Sequence, residues 1–149
     1  MEYIIRPAVL SDMTELLELI AEHAAFEQAP FSADGKQERL IRAIFESPAR
    51  LFCEVVEENK KLIGYVSYTY DYSTWQAAEY MYMDCLFLRP ETRGKGIGGK
   101  IMEKLQKIAR QRGCVNIQWQ TPEFNKPAIG FYKKTGASDL SKIRFTYTL

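Results

Sequence analysis

The sequence has few of the residues on which disulfide-rich and metal-dependent proteins rely. Its 149 residues include three cysteines and one histidine. Cys53, Cys85 and Cys114 are odd in number and far apart, which favours buried free thiols over a disulfide framework or a CxxC site. His23 alone cannot supply a typical catalytic zinc site, and a Ser-His-Asp or Cys-His apparatus would have to depend on it. We therefore expect no metal.

Long apolar runs and a strong charge of either sign are also absent. No run approaches the roughly 20 residues of a membrane span, and the N-terminal MEYIIRPAV lacks the features of an export signal, so we expect a cytoplasmic protein. The formal net charge of +1 argues against nucleic acid as a partner. With 46% hydrophobic and 26% charged residues, the composition is that of an ordinary globular domain.

The apolar periodicity predicts one α/β (α+β) domain over residues 1–149, with the element order βααβββαβαβ. Its core would be a mixed, mostly antiparallel sheet flanked by about four helices. The predicted helices begin after Ser11, cover about 34–46, run from 97 to 113, and extend from Asn125 through Lys134. The predicted strands cover residues 3–6, 51–58, 61–73, 79–88, 115–120 and 142–149.

A glycine-rich stretch, ETRGKGIGGKIM over residues 91–102, precedes the third predicted helix and suits an anion. Three phosphate-binding spacings compete within it, namely GxGxxG (Gly94, Gly96, Gly99), GxxxxGK (Gly94 to Lys100) and [Q/R]xxGxG (Arg93, Gly96, Gly98). The first lacks a strand directly before it and an acidic residue about 20 positions later. The second needs Ser or Thr after Lys100, where this chain has the apolar Ile101. The third spacing remains.

That region, LFLRPETRGKGIGGKIM, resembles the pyrophosphate-binding motif of the GNAT superfamily of acyl-CoA N-acyltransferases. Together with YSTW, N-x-P-A-x-x-F-Y and GASDL, it resembles the branch that contains the spermidine/spermine and thialysine acetyltransferases. The resemblance implies a GNAT fold, acetyl-CoA as cosubstrate and a homodimer. It also implies direct attack in a ternary complex by a small cationic amine, such as a polyamine, a diamine or a thialysine-like acceptor.

The resemblance also implies which residues hold the cosubstrate. The acetyl group would lie along the backbone of three strand residues, whose N–H groups can stabilise an oxyanion. The loop N–H groups would bind the pyrophosphate, although Arg93 and Lys95 also fit solvated surface charges, and Asn125 is foremost a helix cap. The implied cosubstrate contacts are Leu86, Phe87, Leu88, Arg93, Gly94, Lys95, Gly96, Ile97, Gly98, Gly99 and Asn125.

Two residues match catalytic positions of that branch. Asp84 would accept the amine proton directly or through water, and Tyr132 would donate a proton to the departing thiolate. Without the resemblance, Asp84 fits a structural carboxylate and Tyr132 a core aromatic. Strand alternation places Asp84 among apolar groups, which raises a carboxyl pKa, on one face with Tyr80, Tyr82, Leu86 and Leu88. The same alternation turns Cys85 to the opposite face, which disfavours an acetyl-cysteine relay.

The acceptor site is indicated by weaker signals, since acidic surface residues are mostly just solvated. Carboxylates and indoles suit an ammonium group. The resemblance implies Glu27, Asp71 and Trp75 as acceptor contacts, and Trp119 and Gln120 are further candidates on the same grounds. Two other functions stay open, namely acetylation of a protein lysine or N-terminus and a non-catalytic CoA-binding sensor.

Overall fold

The computed structural model describes residues 2–149, which form a five-stranded sheet, four helices and two short 3₁₀ turns. The strands are β1 (Ile4–Pro7), β2 (Phe52–Glu58), β3 (Lys61–Ser73), β4 (Ala78–Leu88) and β5 (Ile117–Gln118). The helices are α1 (Met13–Phe26), α2 (Lys36–Phe45), α3 (Ile97–Arg112) and α4 (Lys126–Lys134), and the 3₁₀ turns are Leu10–Asp12 and Pro90–Thr92.

The sheet has the strand order β1-β2-β3-β4-β5. The first four strands pair antiparallel with their sequence neighbours, and β5 pairs parallel with β4. Asn59 and Lys60 close the β2–β3 hairpin with φ angles of 51° and 62°, both in the left-handed region that a type I′ turn needs. The predicted mixed, mostly antiparallel sheet is therefore confirmed.

Each face of the sheet carries its own apolar cluster. The α3 face is the side on which α3 packs, and its buried residues include Ile97, Ile101, Leu105, Met81 and Met83. The α1 face is the opposite side, with Met13, Leu16, Leu19, Tyr65 and Phe87. Burying a large apolar side chain contributes about 1.5–3 kcal/mol. The two clusters thus fix both helices on the sheet.

Strand β4 contains one residue more than its partner at Asp84. Met83 pairs with Tyr68 and Cys85 pairs with Ser67, which leaves Asp84 without a partner on β3. This is a β-bulge, a feature that bends a strand and re-aims its side chains.

The bulge reverses the alternation of side chains along β4. Before it, Met81 and Met83 belong to the α3 face, and after it Leu86 and Leu88 pack on that same face. The prediction that Asp84 shares one face with both halves of the strand is therefore wrong. Tyr80 and Tyr82 lie on the α1 face, opposite Leu86 and Leu88.

The last predicted strand, over residues 142–149, does not form. Its apolar side chains are almost fully exposed, with 81% at Ile143, 88% at Phe145 and 95% at Tyr147. Alternating apolar residues form a strand only beside a partner, and β5, the neighbouring edge strand, is two residues long instead of the predicted six. The short β5 gives residues 142–149 little to pair with in this chain.

Helix boundaries differ slightly from the predictions. Ser11 lies inside a 3₁₀ turn, and α1 begins at Met13. The Asp12 carboxylate accepts the Val9 N–H at 2.8 Å. Helix α2 begins at Lys36, after Gly35 in the left-handed region. Within residues 2–149, no helix has both the length and the apolar character needed to cross a bilayer.

Candidate active site

Strand β4 separates from β5 soon after the two strands meet. They pair over two residues each, Met81–Tyr82 with Ile117–Gln118. Further along, the Arg89 N–H donates to a β3 carbonyl at 3.0 Å. Because backbone groups alternate in direction along a strand, those of Leu86 and Leu88 point the other way, into the opening between β4 and β5. This opening offers backbone donors to an acetyl carbonyl.

Phe87, between these two residues, is oriented differently. Its backbone faces β3, as does that of Arg89 two positions later. Its ring is buried on the α1 face and stacks on His23, with ring centroids 5.1 Å apart. Only two of the three strand residues suggested by the sequence therefore present their backbone to the opening.

The loop over residues 93–99 leads into the N-terminus of α3. Gly94 and Gly96 have φ angles of 73° and 81°, which glycine adopts without strain. The Lys100 N–H donates to the Gly96 carbonyl at 3.2 Å. The N–H groups of residues 97–99 precede this first helical bond and so are free of intrahelical acceptors. Such a helix start suits the diphosphate of a coenzyme.

Arg93 faces α1 and not the mouth of the loop. Its guanidinium carbon lies 4.5 Å from the ring centroid of Phe26 and 5.5 Å from that of Phe87. Its Nε donates to the Leu88 carbonyl at 2.8 Å. Burial lowers the pKa of Arg93. The side chain thus ties the loop to α1 and to the end of β4, whereas Lys95 is exposed.

The start of α3 packs directly against α4. A methyl group built on Gly98 would lie 3.0 Å from Cζ of Phe131, whereas one on Gly99 would meet nothing within 4 Å. Ile97, next to Gly98, is buried in the α3 face. Since Tyr132 follows Phe131, this contact sets the position of the catalytic candidate relative to the loop.

Asp84 is exposed at the bulge, beside Cys85. The prediction of apolar surroundings for Asp84 is wrong, because the bulge turns it toward solvent. Cys85 Sγ donates to Asp84 Oδ2 at 3.6 Å, so the two side chains lie together and not on opposite faces. Burial, with the Asp84 carboxylate adding to it, raises the pKa of Cys85 to about 11. A protonated thiol is a poor nucleophile, so chemistry disfavours an acetyl-cysteine relay.

Tyr132 lies on α4, whose start is built by the N-x-P-A sequence. The Asn125 side chain accepts the Ala128 N–H at 3.4 Å, which confirms its capping role. The Tyr132 ring lies 5.1 Å from that of Trp119 and 5.2 Å from that of Phe131, between centroids. Helix α4 therefore holds the phenol against the end of β5.

The electrostatics of Tyr132 show which groups surround it. Burial raises its pKa to about 12, and the nearby Glu27 carboxylate and Cys85 add to the rise. Glu27 follows the last residue of α1, and Cys85 adjoins Asp84. The fold thus brings Glu27, Tyr132 and Cys85, the chain neighbour of Asp84, to one end of the opening.

The other acceptor candidates lie farther along the sheet. Asp71 on β3 pairs with Tyr80 on β4. Tyr80 precedes Asp84 by four residues, so Asp71 lies about 13 Å from Asp84 along the strand direction. Burial and the Asp71 carboxylate raise the pKa of Tyr80. Trp75 in the β3–β4 turn is fully exposed, and Gln120 is exposed beyond β5. An open cavity of about 410 Å³ is lined by Ser73, Thr74, Trp75, Tyr80, Gln118 and Lys142.

Sequence reasoning missed two residues beside this site. His23 is buried on α1, and its Nδ1 lies 2.8 Å from the Tyr65 hydroxyl. A histidine at an apolar helical position was the available signal, but its partner on β3 is 42 residues away.

Among residues 2–149, no group of three or more His, Cys, Asp or Glu side chains is arranged to hold a metal ion.

Several named proteins are similar to the chain over most of its length. The model of the acetyltransferase (GNAT) family matches residues 13–137. A thialysine N-epsilon-acetyltransferase from Bos taurus is 32% identical over 146 residues, covering 93% of this chain and 85% of that protein. A spermidine/spermine N(1)-acetyltransferase-like protein 1 from Homo sapiens is 28% identical over 144 residues, covering 92% of this chain and 21% of that protein.

Solved structures share the fold. An aminoglycoside acetyltransferase from an uncultured soil metagenomic sample superposes with a TM-score of 0.83 at 19% identity, covering 99% of this chain and 96% of that one. An integron cassette protein of V. cholerae superposes with a TM-score of 0.78 at 24% identity, covering 99% and 93%. The chain belongs to the GNAT acetyltransferase family and is an acetyl-CoA-dependent N-acetyltransferase.

Proposed function

We propose that this acetyltransferase acts on a primary amine of a small cationic acceptor, such as a polyamine, a diamine or a thialysine-like amino acid. The observation that carries the proposal is the placement of carboxylates. Glu27 and Cys85 lie near Tyr132, and Asp84 adjoins Cys85 in the chain. Asp71 pairs with Tyr80, about 13 Å along β4 from Asp84. Carboxylates so spaced suit an elongated molecule with more than one ammonium group.

The carboxylates also answer a chemical need. An alkyl amine of pKa about 10.4 is mostly protonated at pH 7, and deprotonating it costs about 4.6 kcal/mol. Asp84, exposed at the bulge, accepts this proton directly or through a water molecule. The freed nitrogen then bonds to the acetyl carbon, with a Leu86 or Leu88 N–H donating to the oxyanion. As the tetrahedral intermediate collapses, the C–S bond breaks and its electron pair goes to sulfur.

Tyr132 supplies the proton for that sulfur. Its pKa of about 12 keeps the phenol protonated at every practical assay pH. Complete transfer to a thiolate of pKa near 8.5 is uphill by roughly 5 kcal/mol. Tyr132 therefore donates a hydrogen bond as charge develops, and its proton crosses to sulfur in concert with return of the excess amine proton of the intermediate to the phenol through water. The exposed Asp84 releases the proton that it took first to solvent.

The remaining roles follow from position. The N–H groups at residues 94 and 96–99 bind the diphosphate, the Arg93 side chain holds their loop, and Asn125 caps α4 near the coenzyme. Trp75, Trp119 and Gln120 contribute to the acceptor site. Residues 1–149 act as one domain. A cytoplasmic location is supported by three cysteines that are all free thiols, as a reducing compartment maintains them.

A homodimer is supported by the exposed end of the chain. Four apolar side chains alternate there along an unpaired segment, and their exposure is costly unless a second copy covers them. They are Ile143, Phe145, Tyr147 and Leu149. Light scattering should give twice the chain mass, and Phe145→Asp should shift it toward the monomer. A monomeric mass at micromolar concentration for the unaltered chain would contradict the dimer.

The test of the function is release of CoA thiol from acetyl-CoA with a panel of acceptors. The panel contains spermidine, spermine, putrescine, thialysine, lysine and an unstructured lysine peptide. Turnover with the small amines alone supports the proposal, whereas turnover with the peptide alone assigns a protein acceptor. If no acceptor reacts while acetyl-CoA still raises the melting temperature, the chain is a CoA-binding sensor.

Replacing Tyr132 by Phe separates an enzyme from a sensor. The ring contacts with Trp119 and Phe131 persist in the variant, so acetyl-CoA should still bind. We expect kcat to fall roughly 10²- to 10⁴-fold, the usual contribution of a positioned acid. Full activity in Tyr132→Phe would remove Tyr132 from the mechanism.

A further inference from the structure

We propose that His23 and Tyr65 form a buried positioning pair that orients Glu27 toward the amine acceptor. The proposal rests on the proposed function, since it concerns the acceptor side of the same site. His23 and Tyr65 do not touch the acceptor themselves. They act through Glu27.

Several contacts fix the His23 ring. It is 8% exposed in the last turn of α1, and its Nδ1 lies 2.8 Å from the Tyr65 hydroxyl. It stacks on Phe87, with the planes 18° apart and the centroids 5.1 Å apart. On its other edge, Nε2 lies 3.2 Å from Glu27 Oε1. The imidazole thus bridges a core phenol and a carboxylate at the cleft.

Hydrogen-bond chemistry gives this bridge a direction. Burial raises the pKa of Tyr65 far above that of a free phenol, so its hydroxyl always has a proton to donate. In the neutral imidazole one nitrogen accepts and the other donates. When Tyr65 donates to Nδ1, the ring proton resides on Nε2, the nitrogen that lies 3.2 Å from Glu27 Oε1. A donating Tyr65 thus favours the tautomer that places the ring proton beside Glu27.

Glu27 needs such support because of its location. It follows α1 at the C-cap position, and its side chain is one-third exposed. A long, flexible carboxylate loses rotamer entropy when it binds a cation, unless it is oriented beforehand. Glu27 is also among the groups that raise the pKa of Tyr132. Its orientation therefore affects the acceptor ammonium and the phenol together.

If the residue at position 23 had only to fill space on the α1 face, an apolar side chain would be more stable there than histidine. Leucine or phenylalanine at position 23 would fill the space beside Phe87 without burying two polar groups. What the imidazole adds is a polar ring edge, with Nε2 held 3.2 Å from Glu27 Oε1. The conservative variant His23→Gln can accept from Tyr65 and donate to Glu27, whereas His23→Leu can do neither.

The kinetic test compares these two variants with the best small amine as acceptor. We expect His23→Leu to raise the KM for the amine about tenfold, the usual effect of removing a hydrogen bond to a charged group. The KM for acetyl-CoA should not change, and His23→Gln should restore most of the lost affinity. In the Glu27→Gln background, His23→Leu should have little further effect. Equal losses in both variants, or additive losses with Glu27→Gln, would show a packing role alone.

A second measurement does not depend on activity. His23 is the only histidine in the chain, so its ring nitrogen signals can be assigned without ambiguity. Nitrogen-15 NMR should show the tautomer with the proton on Nε2, and Tyr65→Phe should abolish that preference. A proton on Nδ1 in the unaltered protein overturns the proposal. If no small amine reacts but the Nε2 tautomer is found, the proposed acceptor class fails and the positioning pair stands.

Discussion

Replacing Gly98 by alanine tests whether the contact between α3 and α4 sets the geometry of the site. The added methyl group would lie 3.0 Å from Phe131 Cζ and 3.4 Å from Cε2, so the ring must move by a few tenths of an ångström. Gly99→Ala is the matched control, because its methyl group meets no atom within 4 Å. Both changes remove the same backbone freedom from neighbouring positions of one helix.

The expected magnitudes differ between the two variants. Alanine for glycine in a helix contributes up to about 1 kcal/mol, and both variants share this gain. Overpacking costs about 1–3 kcal/mol and applies only to Gly98→Ala. A domain of about 150 residues loses roughly 3 °C in Tm per kcal/mol. We therefore expect Gly98→Ala to melt roughly 3–9 °C below Gly99→Ala.

The assay is thermal unfolding of both variants without acetyl-CoA, followed by steady-state kinetics. Displacing Phe131 also displaces Tyr132, so kcat should fall in Gly98→Ala. The Gly99 methyl group meets no atom within 4 Å, and Gly99 lies in the proposed diphosphate loop, so Gly99→Ala should affect chiefly the KM for acetyl-CoA. If Gly98→Ala melts as high as Gly99→Ala and keeps its kcat, α4 can move away from the added methyl group without loss of stability or activity, and the packing argument is refuted.

Three further predictions concern stability. Burial raises the pKa of Cys53 and Tyr132 to about 12 and that of Cys85 to about 11, so the folded protein favours the neutral forms of all three groups. The free energy of unfolding, measured with denaturant, should therefore be constant below pH 9 and fall between about pH 9 and 12. Arg6 lowers the pKa of Asp12, so Asp12→Asn should destabilise the protein by about 1–3 kcal/mol at pH 7, a gap that closes as pH falls below 4. Lys104 donates to Glu54 Oε2 at 2.9 Å, so Lys104→Met should cost about 1–3 kcal/mol by leaving this buried carboxylate unpaired, and Glu54→Gln should recover part of that loss. The first prediction fails if stability does not fall above pH 9. The second fails if the stability difference between Asp12→Asn and the unaltered protein does not change with pH. The third fails if the stability losses from Lys104→Met and Glu54→Gln simply add.

Much of the site could be predicted because it depends on neighbouring residues. The glycine positions before α3, the apolar face of that helix and the capping of α4 by Asn125 are local, and the structure reproduces them. The phosphate-binding character of a helix start follows from its free N–H groups alone. A short segment therefore carried enough information to place both the loop and Tyr132.

Other features depend on what lies across the sheet. Periodicity assumes regular alternation, so it misplaced Asp84, whose bulge exists only in the register of β4 against β3. The orientation of Arg93 toward Phe26 has the same origin, since its partner lies 67 residues earlier on α1. Neither arrangement leaves a local pattern.

The end of the chain shows the same division. Residues 142–149 have the alternation of a strand, but a strand forms only where a neighbouring edge can accept its hydrogen bonds. The sequence by itself determined the helices, the first four strands and the loop before α3, because local spacing and capping specify them. Only the tertiary structure decided that Glu27 and Cys85 lie near Tyr132 and that Tyr65 lies beside His23, because those contacts join segments that are far apart in the chain.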